Sequence, residues 1–109
     1  MQKDIAFLGS ALDDLRRLPQ EIRRTVGYQL HKIQENEPPD DWKPMPVIGA
    51  GVCELRVRDA SGAYRLIYVA KFAEALYVLH VFRKKTQKTA ADDIELARRR
   101  YREMMRTRS

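Results

Sequence analysis

Residues 52–69 read VCELRVRDASGAYRLIYV, and residues 75–89 read ALYVLHVFRKKTQKT. These two runs decide the fold. In Val52–Asp59, Cys53, Leu55 and Val57 alternate with Glu54, Arg56 and Arg58, the period-two pattern of a strand with one face buried. Ala60-Ser61-Gly62-Ala63 is turn chemistry, so the next run is reached through a short hairpin. Tyr64–Ala70 is almost continuously apolar, as expected of a central strand covered on both faces, with Arg65 as its one interior charge. After a turn over Phe72–Ala75, Leu76–Phe82 is again mostly apolar, with His80 inside it, and the chain then becomes basic at Arg83-Lys84-Lys85.

Upstream, Lys3–Leu8 reads as a first strand. Ser10 is a plausible helix N-cap with Asp13 three residues on, and Leu12, Leu15 and Leu18 follow at helical spacing. Pro19 ends that helix and suits the first turn of another, in which Ile22, Val26, Leu30 and Ile33 form one apolar face. Glu37–Gly51 reads as a loop with Pro38, Pro39, Pro44 and Pro46, and its Trp42 is expected to pack onto the core. Downstream, Thr89 is expected to cap a last helix, with Asp92 and Asp93 in its first turn and an inner stripe of Ile94, Ala97, Tyr101 and Met105. Its last few residues are expected to fray. The reading is an α+β fold: N-terminal strand, helical hairpin, small antiparallel-rich sheet and C-terminal helix.

A chain of 109 residues fits a single domain over residues 1–109. Its net charge of +6 is unevenly placed: residues 1–49 carry −1, and residues 50–109 carry +7. Such a field favours a polyanion, or an acidic protein that covers it. Cys53 has no disulfide partner in the chain and reads as a buried thiol. His31 and His80 lack the companions of a zinc site, so no metal or other cofactor is expected. The N-terminus lacks a signal-peptide pattern, and no apolar run approaches the ~20 residues of a membrane helix. A cytoplasmic protein with no membrane partner is expected.

The strand parity puts Arg56 and Arg58 opposite the Leu55 and Val57 face, with Arg65 a hairpin away and Lys84 at the end of the third strand. If these strands are neighbours, the cations converge. Arginine binds phosphate bidentately and lysine adds a compact charge, a combination that stabilises a phosphoryl transition state. Arg65 is costly inside an apolar run unless it is paired, with Glu54 an available partner, or lines a cleft. His80 is the one conventional acid or base here, though a lone histidine on an apolar strand is more often a hydrogen-bonded core residue. RNA brings its own nucleophile, the 2′-hydroxyl, so its cleavage needs positioning, proton transfer and charge stabilisation.

The order and spacing of Glu54-Leu55-Arg56, Tyr64-Arg65-Leu66-Ile67-Tyr68, Leu79-His80-Val81-Phe82 with Lys84-Lys85-Thr86-Gln87-Lys88-Thr89, and Ile94-Glu95-Leu96-Ala97 resemble the RelE/HigB-like toxins of type II toxin–antitoxin modules, in particular the phage-associated HigB-like branch. The resemblance implies the α+β fold above, a ribosome-dependent endoribonuclease that inhibits translation by cutting mRNA, and a helix-turn-helix antitoxin as partner. It implies catalytic roles for Arg56, Arg65 and Lys84. Arg58, His80, Arg83, Lys85 and Lys88 are the candidate RNA-binding residues around them. Two positions depart from RelE: Glu54 replaces a catalytic lysine, and Ala90-Ala91 stands where RelE has a functional tyrosine. The general acid and base are therefore open, as are codon preference and oligomeric state. The same fold used as a non-catalytic RNA- or ribosome-binding module is the alternative. A DNA-binding regulator built on the helical hairpin is disfavoured by the −1 charge of residues 1–49.

Overall fold

A computed structural model describes residues 2–108. The chain runs β1 (Asp4–Phe7), α1 (Ala11–Arg16), α2 (Gln20–Gln34), β2 (Trp42–Pro44), β3 (Val52–Asp59), β4 (Gly62–Val69), β5 (Ala75–Lys84) and α3 (Ala91–Arg108). The strands form one sheet in the order β1-β5-β4-β3-β2. β1 is parallel to β5, and all other pairs are antiparallel. This is the α+β arrangement anticipated from the strand and helix patterning.

Helix α2 buries Ile22, Val26, Leu30 and Ile33 against one sheet face. Across from them stand Leu55 and Val57 of β3, Tyr64, Leu66 and Tyr68 of β4, and Val78 and Val81 of β5. Each fully buried side chain of this kind contributes about 1.5–3 kcal/mol. The chain turns out of α2 at Asn36, which follows the C-cap Glu35 and adopts φ 64°. There the Glu37 N–H donates to Lys32 O at 2.8 Å and the Asn36 N–H to Ile33 O at 3.0 Å, a Schellman closure with asparagine in the left-handed position. Pro38-Pro39 then prevents any continuation.

The other face is covered by α3. Ala97 and Met104 pack with Met45, Ile48, Val52, Ile67, Val69 and Leu79. The stripe differs from the expected one: Met104 is fully buried, and Met105 is 37% exposed. Contact is centred on Ala97, and at 100° per residue Met104 lies about 20° from it around the helix and Met105 about 80°. The expected fraying is also not observed up to Arg108, whose guanidinium lies 3.3 Å from the Phe72 ring centroid and pairs with Glu74. Ser109 lies outside the described residues.

Three further expectations are corrected. The Glu37–Gly51 loop contains a strand, β2, paired with β3 through Trp42↔Leu55 and Pro44↔Cys53. Trp42 does not pack into the core but is 42% exposed on that edge strand, beside Pro38, Pro39 and Tyr68. Ser10 occupies the N-cap position of α1 without a side-chain cap bond, because its hydroxyl donates to Asp14 Oδ2 at 2.8 Å instead.

One irregularity in the sheet controls the site. Ile67 pairs with His80, but Tyr68 pairs with Val78, so Leu79 is an extra residue in β5. Before this bulge the odd-numbered Tyr77 faces the α3 side. After it, Val81 faces α2 and Phe82 faces α3. Lys84, two residues beyond Phe82, therefore lies on the α3 side as well, in register with Ala63.

Candidate active site

The sheet surface just beyond the start of α3 carries the cationic residues. Arg56 and Arg65 are direct cross-strand partners. Arg58 and Lys84 flank Ala63 on its two neighbouring strands. The structure thus brings Arg56, Arg58, Arg65 and Lys84 onto one face.

Like charges directly opposite each other destabilise a sheet, and the chain counters this with Glu54. Its carboxylate is 1% exposed, and its Oε1 lies 3.3 Å from Arg56 Nε and 3.4 Å from Arg65 Nε. Its Oε2 accepts a 2.7 Å hydrogen bond from the Thr89 hydroxyl. Thr89 was expected to cap α3; it instead ties the segment before the helix to the sheet, and α3 begins at Ala91.

Arg65 is 10% exposed along its side chain. Its Nη1 donates to Tyr64 O at 3.1 Å, while its buried Nε–H has no hydrogen-bond partner among the described residues. Burial lowers its pKa, Glu54 opposes that shift, and Arg56 adds to it. Lys84 is also held below the ordinary lysine value, first by burial and then by Arg65. A cleft of about 110 Å³ opens beside Asp41, Arg56, Arg58, Ala63 and Arg65. A second cleft, of about 440 Å³, continues past Lys84 and is lined by Phe82, Lys85, Lys88, Asp92 and Asp93. The first cleft reaches Arg65, and the second reaches Lys84.

The remaining sequence candidates fall in different places. Lys85 and Lys88 are exposed on the second cleft. Arg83 reaches its rim, with Nη2 donating to Ser61 O at 2.6 Å and its guanidinium 5.9 Å from the Tyr64 ring centroid. His80 is 6% exposed and has no surface of its own. It stacks on Phe82 at 4.7 Å, and its Nε2 lies 2.7 Å from Asp93 Oδ1. Burial lowers its pKa, and Asp93 works against that shift. Neutral His80 donates through Nε2–H to the carboxylate, leaving Nδ1 buried without a partner. Among the described residues, no three His, Cys, Asp or Glu side chains gather as a metal-holding group. No helix of the described residues is long and apolar enough to cross a membrane.

Sequence reasoning missed Thr89 and Asp93 as parts of this site. Both had been read only as helix-start residues, and their second partners, Glu54 and His80, come from strands distant in sequence.

A family model described as "Phage derived protein Gp49-like (DUF891)" matches residues 13–102. The chain belongs to this family. It is a RelE/HigB-like toxin family, so the resemblance carried by the strand motifs is matched by the family assignment. Among solved structures, a double Arg-to-Ala mutant of the E. coli toxin RelE in the free state is similar, with a TM-score of 0.69 and 20% identity over 92% of this chain and 98% of that one. That likeness establishes the Gp49-like chain as RelE-like in fold. A search of curated proteins found no match.

Proposed function

We propose that this Gp49-like chain is the toxin of a toxin–antitoxin pair and acts as an endoribonuclease that cuts mRNA on the ribosome in the cytoplasm. The observation that carries this reading is Arg65: a largely buried cation, paired through Nε with Glu54, at the edge of a cleft that holds Arg56 and Arg58 and beside Lys84. A phosphodiester is the ligand that would draw on so many cations.

In the proposed reaction the ribose 2′-oxygen attacks the adjacent phosphorus. The P–O2′ bond forms and the P–O5′ bond breaks, giving a 2′,3′-cyclic phosphate and a 5′-hydroxyl. The 2′-hydroxyl loses a proton and the leaving 5′-oxygen gains one. Arg65 stabilises the added negative charge on the phosphorane, and Arg56 holds the nucleophile side or the adjacent phosphate. Lys84, with its lowered pKa, serves the leaving oxygen as charge partner or proton donor. The RNA supplies the nucleophile and the protein the cations, so these steps require no metal ion. Arg58, Arg83, Lys85 and Lys88 hold flanking phosphates. His80 contributes indirectly by fixing Asp93. The expected inhibitor is an antitoxin with a helix-turn-helix domain whose acidic surface covers the +7 half of the chain.

A non-catalytic RNA- or ribosome-binding role is favoured by one specific observation: Glu54 already neutralises part of the Arg56–Arg65 pair. Primer extension on mRNA from induced cells separates the readings. New 5′ ends that depend on Arg65 support the nuclease. Growth arrest with ribosome association but no new ends supports the binding module.

A further inference from the structure

On the nuclease reading proposed above, we infer that Asp41 is the general base of the reaction: its carboxylate takes the proton from the attacking 2′-hydroxyl.

Asp41 reaches the site through β2. In that strand Trp42 pairs with Leu55, whose side chain belongs to the α2 side of the sheet. One residue earlier, the Arg56 N–H donates to Asp41 O at 2.9 Å, which anchors the Asp41 backbone beside Arg56. Asp41 then lines the cleft of about 110 Å³ together with Arg56, Arg58 and Arg65. Its negative charge is felt by Arg65, where it opposes the lowering of the pKa by burial.

A base has to be a carboxylate that nothing else occupies. Glu54 is 1% exposed and is held by Arg56, Arg65 and Thr89. Asp59 accepts from both the Ser61 N–H and the Ser61 hydroxyl. Asp93 is engaged by His80, and Asp92 stands with it on the second cleft. Among the described residues Asp41 is the one carboxylate that lines the arginine cleft. It is exposed there, and no described residue hydrogen-bonds or ion-pairs with its side chain. A cleft that only held phosphate would lose by this group, which repels the anion. A reaction that must remove a proton beside the phosphate gains by it.

The order across the sheet suits a displacement in line. From β2 to β5 the groups are Asp41, Arg56, Arg65 and, one position further along, Lys84 beside Ala63. Neighbouring strands lie about 4.8 Å apart, so carboxylate and ammonium flank the arginine pair from opposite sides. Attacking and leaving oxygens stand on opposite sides of the phosphorus, and each has its own proton to transfer. Asp41 accepts the 2′-hydroxyl proton as the P–O2′ bond forms. Lys84 Nζ gives a proton to O5′ as the P–O5′ bond breaks. The step leaves both side chains neutral, and proton exchange with water restores them.

The test is single-turnover cleavage of ribosome-bound mRNA by the full chain, read as a maximal rate and a half-saturating protein concentration. Asp41→Asn is expected to lower the maximal rate about a hundredfold, the lower end of what a positioned base contributes. Its half-saturating concentration should stay the same or fall, because a negative charge has left a site for an anion. Asp41→Glu keeps a carboxylate and should recover part of the rate. An mRNA with sulfur in place of the 5′-oxygen at the mapped cut site needs no proton for departure, and on it the Asp41→Asn defect should keep its full size. Cleavage by Asp41→Asn at the wild-type rate, a defect confined to the half-saturating concentration, or a defect repaired by the sulfur substrate would each overturn the assignment and leave the nuclease standing. No cleavage by the wild-type chain would overturn the nuclease reading and the assignment with it.

Discussion

The Thr89 hydroxyl donates to Glu54 Oε2 at 2.7 Å, across 35 residues of chain. Through this one bond the lysine-bearing segment ahead of α3 is fastened to the carboxylate that separates Arg56 from Arg65. The geometry of the phosphate site and the placement of the second cleft are therefore mechanically joined. Glu54→Ala removes the carboxylate, leaves two guanidiniums facing each other and cuts the tether. Breaking a buried ion pair from one side typically costs about 3–5 kcal/mol. A fall in Tm of roughly 10 °C or more is expected, measured by thermal denaturation. Thr89→Val loses a single hydrogen bond and should cost only about 1–2 kcal/mol. Equal stability of Glu54→Ala and wild type would show that the carboxylate has no structural role.

Arg65→Ala should reduce mRNA cleavage at least about a hundredfold, the usual loss when one preorganised transition-state donor is removed. Growth after induction is the coarse readout, and primer extension the fine one. Arg65→Lys keeps a charge but loses the planar fork, and should recover only a small part of the activity. Full toxicity in a stably expressed Arg65→Ala chain would remove Arg65 from the mechanism.

The pH dependence of stability has a defined sign at His80. Its pKa in the folded chain is lowered by burial from the ordinary 6.5, so the unfolded chain binds the proton more readily. The contribution is fully present above about pH 6.5 and is lost as pH falls toward and through the lowered folded value. Urea unfolding between about pH 7.5 and 5 should show stability falling with acidity. His80→Asn, which cannot titrate, should flatten that part of the slope. An unchanged slope in the variant would assign the proton uptake elsewhere.

The rotation of α3 about its axis is tested by two neighbouring methionines. Met104→Ala should cost about 2–5 kcal/mol, because the side chain is fully buried and its removal leaves a cavity. Met105→Ala, at a partly exposed position, should cost well under about 1 kcal/mol. Chemical denaturation of the two variants gives the comparison directly.

Much of this architecture was legible from local patterning. Alternation in Val52–Asp59 put Arg56 and Arg58 opposite Leu55 and Val57, and the sheet bears this out. The spacing of Ile22, Val26, Leu30 and Ile33 gave the buried face of α2. Glu54 was recognised as a possible partner for Arg65, but its second contact to Arg56 and third to Thr89 depend on tertiary neighbours. β2 escaped notice because three residues ending in proline carry too little periodicity to mark a strand, and its existence depends on the edge offered by β3. Trp42 went astray for the same reason: hydrophobicity argued for burial, but an edge strand exposes one of its sides. His80 settled into the hydrogen-bonded core role that a lone strand histidine most often takes.

The extra residue at Leu79 has a consequence for how this surface can vary. Which cation meets Ala63 is decided by a count along β5 rather than by any preference of Lys84 for that spot. If the bulge were ironed out with Leu79 retained, Ala63 would face Arg83 and Lys84 would pass to the α2 side. Excising Leu79 would keep Lys84 where it is, at the expense of a buried leucine. Single-residue insertions between His80 and Arg83 therefore act as a selector that exchanges an ammonium for a guanidinium without any substitution. A point mutation at one of these positions changes a single group and leaves the register of the others as it was.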